Sequence, residues 1–154
     1  MVKKYPFQDA KAIIHTVCDA AKAGDFDTRD AFMSMLERNP HLAVQGYNAF
    51  GKIFFWNEAA VGLYGYREAE AVNQDIFELI IPKEMRPLAR AQVEVARKTG
   101  KMTEAGACDL LRETGEFVTI YSGHLVFQWE NGPQEFYCVD LALETEADAL
   151  ATAP

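Results

Sequence analysis

Cysteine is scarce in this chain. Cys18, Cys108 and Cys138 are an odd count, widely spread and without a C-x-x-C pair. That excludes a disulfide framework and a thiolate metal centre, leaving three free thiols packed as small hydrophobes in a reducing cytoplasm. Histidine is as sparse, and His15, His41 and His124 are scattered without metal-ligand spacing. No apolar run approaches the roughly 20 residues of a membrane span. Lys3 and Lys4 have no apolar stretch behind them, as a signal peptide would. Positive charge is also short: 15 Lys+Arg stand against 23 Asp+Glu, a net charge of −8. The deficit speaks against nucleic acid, which is bound through Lys and Arg, and against an anionic membrane surface.

What is present is an ordinary globular composition, 49% hydrophobic over 154 residues, which reads as one domain with its own core. There is no repeat and no low-complexity tract. Residues 8–38 read as two helices. In the first, Ile13, Ile14, Val17, Cys18 and Ala21 form one apolar stripe that ends at Gly24. Asp27 or Thr28 can cap the second, which carries Phe32, Met33, Met35 and Leu36 and stops at Asn39-Pro40. The stripe must cover something, either its own domain or a second copy.

From His41 the period changes. Residues 42–47 and 52–56 read as strands joined by the turn Asn48-Ala49-Phe50-Gly51. Asn57 then caps a short helix, and further short helices run over 67–71 and 76–80 up to Pro82. The longest helix of this section spans 83–98, with Pro87 in its first turn and an inward stripe of Met85, Leu88, Ala89, Gln92, Val95 and Ala96. Residues 104–112, 117–129 and 134–143 are strand-like and separated by turn compositions. Two strands, a helical crossover and a three-strand meander make an α+β domain: a five-stranded antiparallel sheet with helices on one face and an N-terminal helical cap.

Several of these segments resemble the PAS family. Gly51-Lys52-Ile53-Phe54-Phe55-Trp56-Asn57-Glu58-Ala59-Ala60, continuing to Leu63-Tyr64-Gly65-Tyr66, is similar to the family's aromatic strand and "N-x-A-A…L-x-G-Y" helix. Glu78-Leu79-Ile80-Ile81-Pro82-Lys83-Glu84-Met85-Arg86 resembles its entry to the long helix, and Thr99-Gly100 the exit. Leu110-Leu111-Arg112-Glu113-Thr114-Gly115-Glu116-Phe117 is similar to the "R-x-D-G-x-x-F" hairpin, and Phe136-Tyr137-Cys138-Val139-Asp140-Leu141 to the closing strand. The likeness covers about residues 40–144, which divides the chain into a cap (1–39), a PAS domain (40–144) and a tail (145–154). Two departures stand out. Val72-Asn73 occupies the place of a frequent Ile-Gly, and the first strand is short and lacks an acidic residue before its turn.

The resemblance implies a sensory or interaction module rather than an enzyme. The flavin photoreceptor branch carries a reactive cysteine where this chain has Asn73-Gln74-Asp75-Ile76-Phe77-Glu78, and the photoactive-yellow-protein cysteine is likewise missing. Haem-binding members supply a histidine from the helices over the sheet, and residues 57–100 contain none. No cofactor can be named. By the two-residue period of strands, the pocket should be lined by Cys108 and Leu110, by Thr119, Tyr121 and Leu125, and by Phe136 and Cys138. Phe77, Leu88 and Gln92 form its lid. Such a lining is typical of small-molecule sites, and the same residues would equally fill a packed core.

Val118, Ile120, His124 and Val126 are then expected on the outer face of the sheet, too apolar to leave bare. Together with Ile13, Ile14 and Val17 they would build a homodimer. Family dimers of this kind signal by shifting flanking helices. A stand-alone cytoplasmic PAS protein with a small-molecule ligand and a downstream partner in trans is the resulting expectation. Alternatives are a pure dimerisation module, or a small isomerase- or dehydratase-like enzyme using Tyr121 with Asp140 or Asp109.

Overall fold

A computed structural model describes residues 2–24, 26 and 28–145. In chain order the elements are β1 (Lys4–Tyr5), α1 (Phe7–Ala23), α2 (Arg29–Leu36), β2 (Ala43–Tyr47), β3 (Ile53–Trp56), α3 (Glu58–Tyr64), α4 (Glu68–Ala71) and α5 (Ile76–Leu79). A 3-10 turn at Lys83–Met85 leads into α6 (Arg86–Thr99), followed by β4 (Gly106–Leu111), β5 (Phe117–Gln128) and β6 (Gln134–Leu143). The sheet runs β3-β2-β6-β5-β4, all antiparallel, with β1 added parallel to the end of β6. The five expected strands are therefore joined by a sixth, too short to show as a pattern. No helix among the described residues is long and apolar enough to cross a membrane.

Side chains at the turns explain the local order. Asn48 Oδ1 accepts from the backbone N–H groups of Phe50 and Lys52, both at 3.0 Å, and closes the β2–β3 hairpin. Gly51 sits at φ +86, against the Phe77 ring, where a side chain would be both strained and obstructed. Asn57 does more than cap α3 through Ala60 N–H (3.0 Å). Its Oδ1 also accepts from Val44 N–H at 3.0 Å and its Nδ2 donates to Leu42 O at 2.8 Å, tying α3 to β2. Asn73, in the place of the family's frequent glycine, holds φ +73, a conformation asparagine tolerates better than most residues.

The sheet is buried on both faces. One face carries α3 to α6 and a core built on Trp56, Tyr64, Phe77, Ile120 and Phe136. The other carries α1 and α2, which bury Ile14, Cys18, Phe32 and Leu36 against Tyr121, Leu125, Tyr137 and Val139. Thr28 caps α2 by accepting from Ala31 N–H at 3.1 Å; Asp27, the other candidate, lies outside the described residues, as does the tail beyond Thr145. Helix α1 comes very close to β5 at Gly123, where an added Cβ would lie 2.5 Å from Cys18 Sγ.

Two placements differ from the sequence reading. On β5, Val118, Ile120, His124 and Val126 face the helices α3–α6, while Thr119, Tyr121 and Leu125 face the opposite way. The cause is register. Ile120 pairs with Cys108 and Val118 with Leu110, and directly paired residues share a face. Because both faces of β5 are covered, its apolar pattern could not give the phase. On α6 the residues buried are Val93 and Ala96, whereas Leu88 and Val95, and Met85 in the turn before it, are exposed, Leu88 at 62%.

Candidate functional site

The face of the sheet beneath α3–α6 is apolar except at its centre. There Gln45 on β2, Ser122 and His124 on β5 and Asp140 on β6 converge with Tyr64 of α3. Strand pairing places them: Ser122 is opposite Asp140, His124 opposite Cys138, and Cys138 opposite Gln45. Asp140 is completely buried. It accepts from Tyr64 OH on Oδ2 and from Ser122 Oγ on Oδ1, both at 2.5 Å. Burial pushes its carboxyl from an ordinary 3.8 up to about 6, although Ser122, Tyr64 and the neighbouring Gln45 pull it back.

Gln45 is also fully buried, yet neither its Oε1 nor its Nε2 completes a hydrogen bond. Two unpaired polar atoms in an interior are costly. His124 Nδ1 lies 3.2 Å from Thr103 O and Nε2 lies 3.3 Å from Ser122 Oγ; burial lowers its pKa and keeps the ring neutral. Burial likewise raises the thiols, Cys108 to about 12 and Cys138 well above its ordinary value, so both stay protonated and unreactive.

Of the sequence-derived pocket residues, Phe77, Cys108, Leu110, Phe136 and Cys138 stand together on this side. Gln92 is half-buried, while Leu88 is exposed and does not close the pocket. Thr119, Tyr121 and Leu125 lie on the far face: Thr119 donates to Asp109 at 2.6 Å, and Tyr121 hydrogen-bonds His15 Nε2 at 2.8 Å. Tyr121 is thus separated from Asp140 by the thickness of the sheet, and the pair imagined for an enzyme is not formed. Val118, Ile120, His124 and Val126 are turned toward α3–α6 rather than toward the cap, while Ile14 is fully buried beneath it and Ile13 and Val17 are half-buried. Sequence reading left Gln45, Tyr64 and Ser122 out of the pocket, and named Asp140 only in the closing strand and as an imagined partner of Tyr121. Continuing the period from Phe136 and Cys138 would have reached Asp140.

On the cap side, Glu135 is a second buried carboxylate. Arg29 of α2 donates Nε to its Oε1 at 3.0 Å and also donates Nη2 to its other oxygen. Tyr137 OH at 2.7 Å and the Trp129 indole N–H complete the set. This cluster fastens α2 to the β5–β6 hairpin. An open cleft of about 980 Å³ lies elsewhere, where β1 meets α3 and the β4–β5 hairpin, lined by Lys3, His41, Glu58, Arg112 and Thr119 among others. Among the described residues no group of three or more His, Cys, Asp or Glu is placed to hold a metal ion.

A buried closing-strand acid, an Asn-capped helix tied to the first hairpin, and a five-strand antiparallel order with a helical crossover are now in place. The sequence of residues 38–122 matches the PAS fold. The chain belongs to the PAS family. No curated protein matches this PAS protein in sequence. Among solved structures, the PAS domain of a protein from Colwellia psychrerythraea superposes with a TM-score of 0.60 at 19% identity, covering 74% of this chain and 95% of that one. The PAS domain of the RpfR quorum-sensing receptor from Cronobacter turicensis, in complex with C12:0, gives 0.53 at 13% identity over 68% and 95%. Drosophila melanogaster Cycle PAS-B with bound ethylene glycol gives 0.57 at 11% identity over 66% and 99%. At these identities the likeness is one of fold.

Proposed function

We propose that this PAS domain is a sensory, signal-transducing module that takes a small ligand between its sheet and α3–α6, without catalysis of its own. Gln45 carries the reading: a buried amide with both polar atoms unpaired is what a site looks like when the partner of its polar group comes from outside the chain. Two of the PAS structures it resembles contain small molecules, C12:0 and ethylene glycol. The acid and the tyrosines are buried, and the half-buried thiols of Cys108 and Cys138 are held protonated, in keeping with a family that is generally non-catalytic.

The cap, residues 1–39, is proposed as the signalling and homodimer surface, through the half-buried Ile13 and Val17 on α1, with a downstream partner in trans. Since α1 already covers the sheet of its own chain, a dimer would add to that packing rather than replace it. A second reading, an interaction module without ligand, is favoured by the density of aromatic packing around the site, including Tyr47 stacked on Phe136 at 5.7 Å. Native mass spectrometry of the untagged protein separates them. A dimer carrying a fixed extra mass is expected; a bare dimer selects the interaction module, and a monomer refutes the cap interface.

A further inference from the structure

The polar centre of the site has a definite chemical character. Gln45 presents an acceptor and a donor side by side; neither completes a hydrogen bond, although the donor stands near enough to Asp140 to help hold its carboxyl down. The neighbouring hydroxyls cannot serve it without leaving Asp140, since Tyr64 OH and Ser122 Oγ each donate to one of its oxygens at 2.5 Å. Tyr47 OH is 3.8 Å from Cys138 Sγ. No Lys or Arg stands on this face of β2, β4, β5 or β6 among the described residues, and His124 is held between Thr103 O and Ser122 Oγ.

We infer that the ligand offers Gln45 an uncharged group carrying a donor next to an acceptor, such as a carboxamide, lactam or urea, and that carboxylates are rejected. The inference rests on the ligand site proposed above. An amide laid against Gln45 makes two hydrogen bonds at once and leaves neither atom unpaired. A carboxylate, having acceptors only, would satisfy Nε2, set a lone pair against Oε1 and bring a second negative group beside Asp140 with no buried cation to offset it. An alkylammonium satisfies Oε1 but leaves Nε2 without an acceptor and must lose its own hydration. Sites built to bond a polar group discriminate strongly against analogues that leave it unpaired.

Two-dimensional ¹H–¹⁵N NMR of the whole chain at pH 7.5 tests this with butyramide, butyrate, butylammonium and xenon, the last as a purely apolar cavity probe. Butyramide is expected to shift the Gln45 side-chain NH₂ signals and the Ser122 and Asp140 amides. It should bind at least tenfold tighter than butyrate or butylammonium. Gln45→Met should abolish that preference while xenon still binds, and the wild-type preference is decisive should the variant not fold. Xenon binding without a preference for the amide overturns the inference and leaves the ligand site standing. If none of the four probes perturbs this face, the ligand site itself is refuted and Gln45 is merely hydrated.

Discussion

Replacing Asp140 by asparagine should make the protein more stable at neutral pH and remove part of its pH dependence. The carboxyl is fully buried, and burial raises it from 3.8 to about 6. A pKa raised on folding means that the folded chain prefers the protonated acid. The contribution is complete below the unfolded value near 4, falls as pH rises through about 6, and is flat above. At about 1.4 kcal/mol per pH unit, the charged form costs about 3 kcal/mol by pH 7. Asparagine keeps the shape and one acceptor but must share it between Ser122 Oγ and Tyr64 OH, which returns about 1 kcal/mol of that gain. The difference in unfolding free energy, variant minus wild type, should therefore climb by about 3 kcal/mol between pH 3 and pH 7 and end near +2 kcal/mol. Urea titrations followed by the fluorescence of Trp56 and Trp129 measure it, and taking the difference cancels the other carboxylates. A flat difference, or one that falls with pH, would show that the Ser122 and Tyr64 hydrogen bonds outweigh burial and would refute the reasoning.

On the same grounds Gln45→Met, close in volume and free of unpaired polar atoms, should raise the ligand-free urea midpoint by about 1–2 kcal/mol equivalents; a loss would mean that the amide is satisfied by buried water. Arg29→Met leaves Glu135 buried with two neutral donors. Removing one partner of a buried pair costs about 3–5 kcal/mol, and because the Arg29 side chain is 48% exposed about 1–2 kcal/mol is expected, with faster hydrogen exchange confined to α2. Uniform exchange across the chain would refute the local role. Gly123→Ala should cost about 1–3 kcal/mol by overpacking, because its Cβ meets Cys18 Sγ at 2.5 Å and Ile14 Cγ2 at 2.8 Å. Combining it with Cys18→Ala should recover part of the loss in thermal melts, and no recovery would place the strain elsewhere.

Much of the architecture was readable because short-range chemistry dictates it. Asn48 and Gly51 shape one hairpin, Asn57 caps α3, Gly65 and Gly100 end helices at φ +86 and +73, and each announces itself within a few residues. Facing was less readable. A strand covered on both sides has apolar residues at odd and even positions alike, so Tyr121 and Ile120 look the same in sequence and only pairing with Cys108 separates them. Helix α6 failed for the complementary reason: Leu88 and Val95 are apolar but exposed, so counting hydrophobes rotated the helix by part of a turn. The polar centre was hidden because its members come from β2, α3, β5 and β6, and no local spacing links Gln45 to Asp140. The apolar outer face was expected to need a cover, and it has one, although the residues beneath α1 are not the ones first assigned to it.

The added strand β1 has a mechanical consequence. Lys4 and Tyr5 run parallel to Ala142 and Leu143, and Glu144 N–H donates to Tyr5 O at 2.8 Å, two residues before α1 begins at Phe7. The root of the cap and the exit of the last strand thus share a single joint. A tilt of α1 about that joint would load the backbone at the end of β6 in shear directly, beside whatever its core packing on β5 and β6 passes on. The cap and the last strand turn on the same pin.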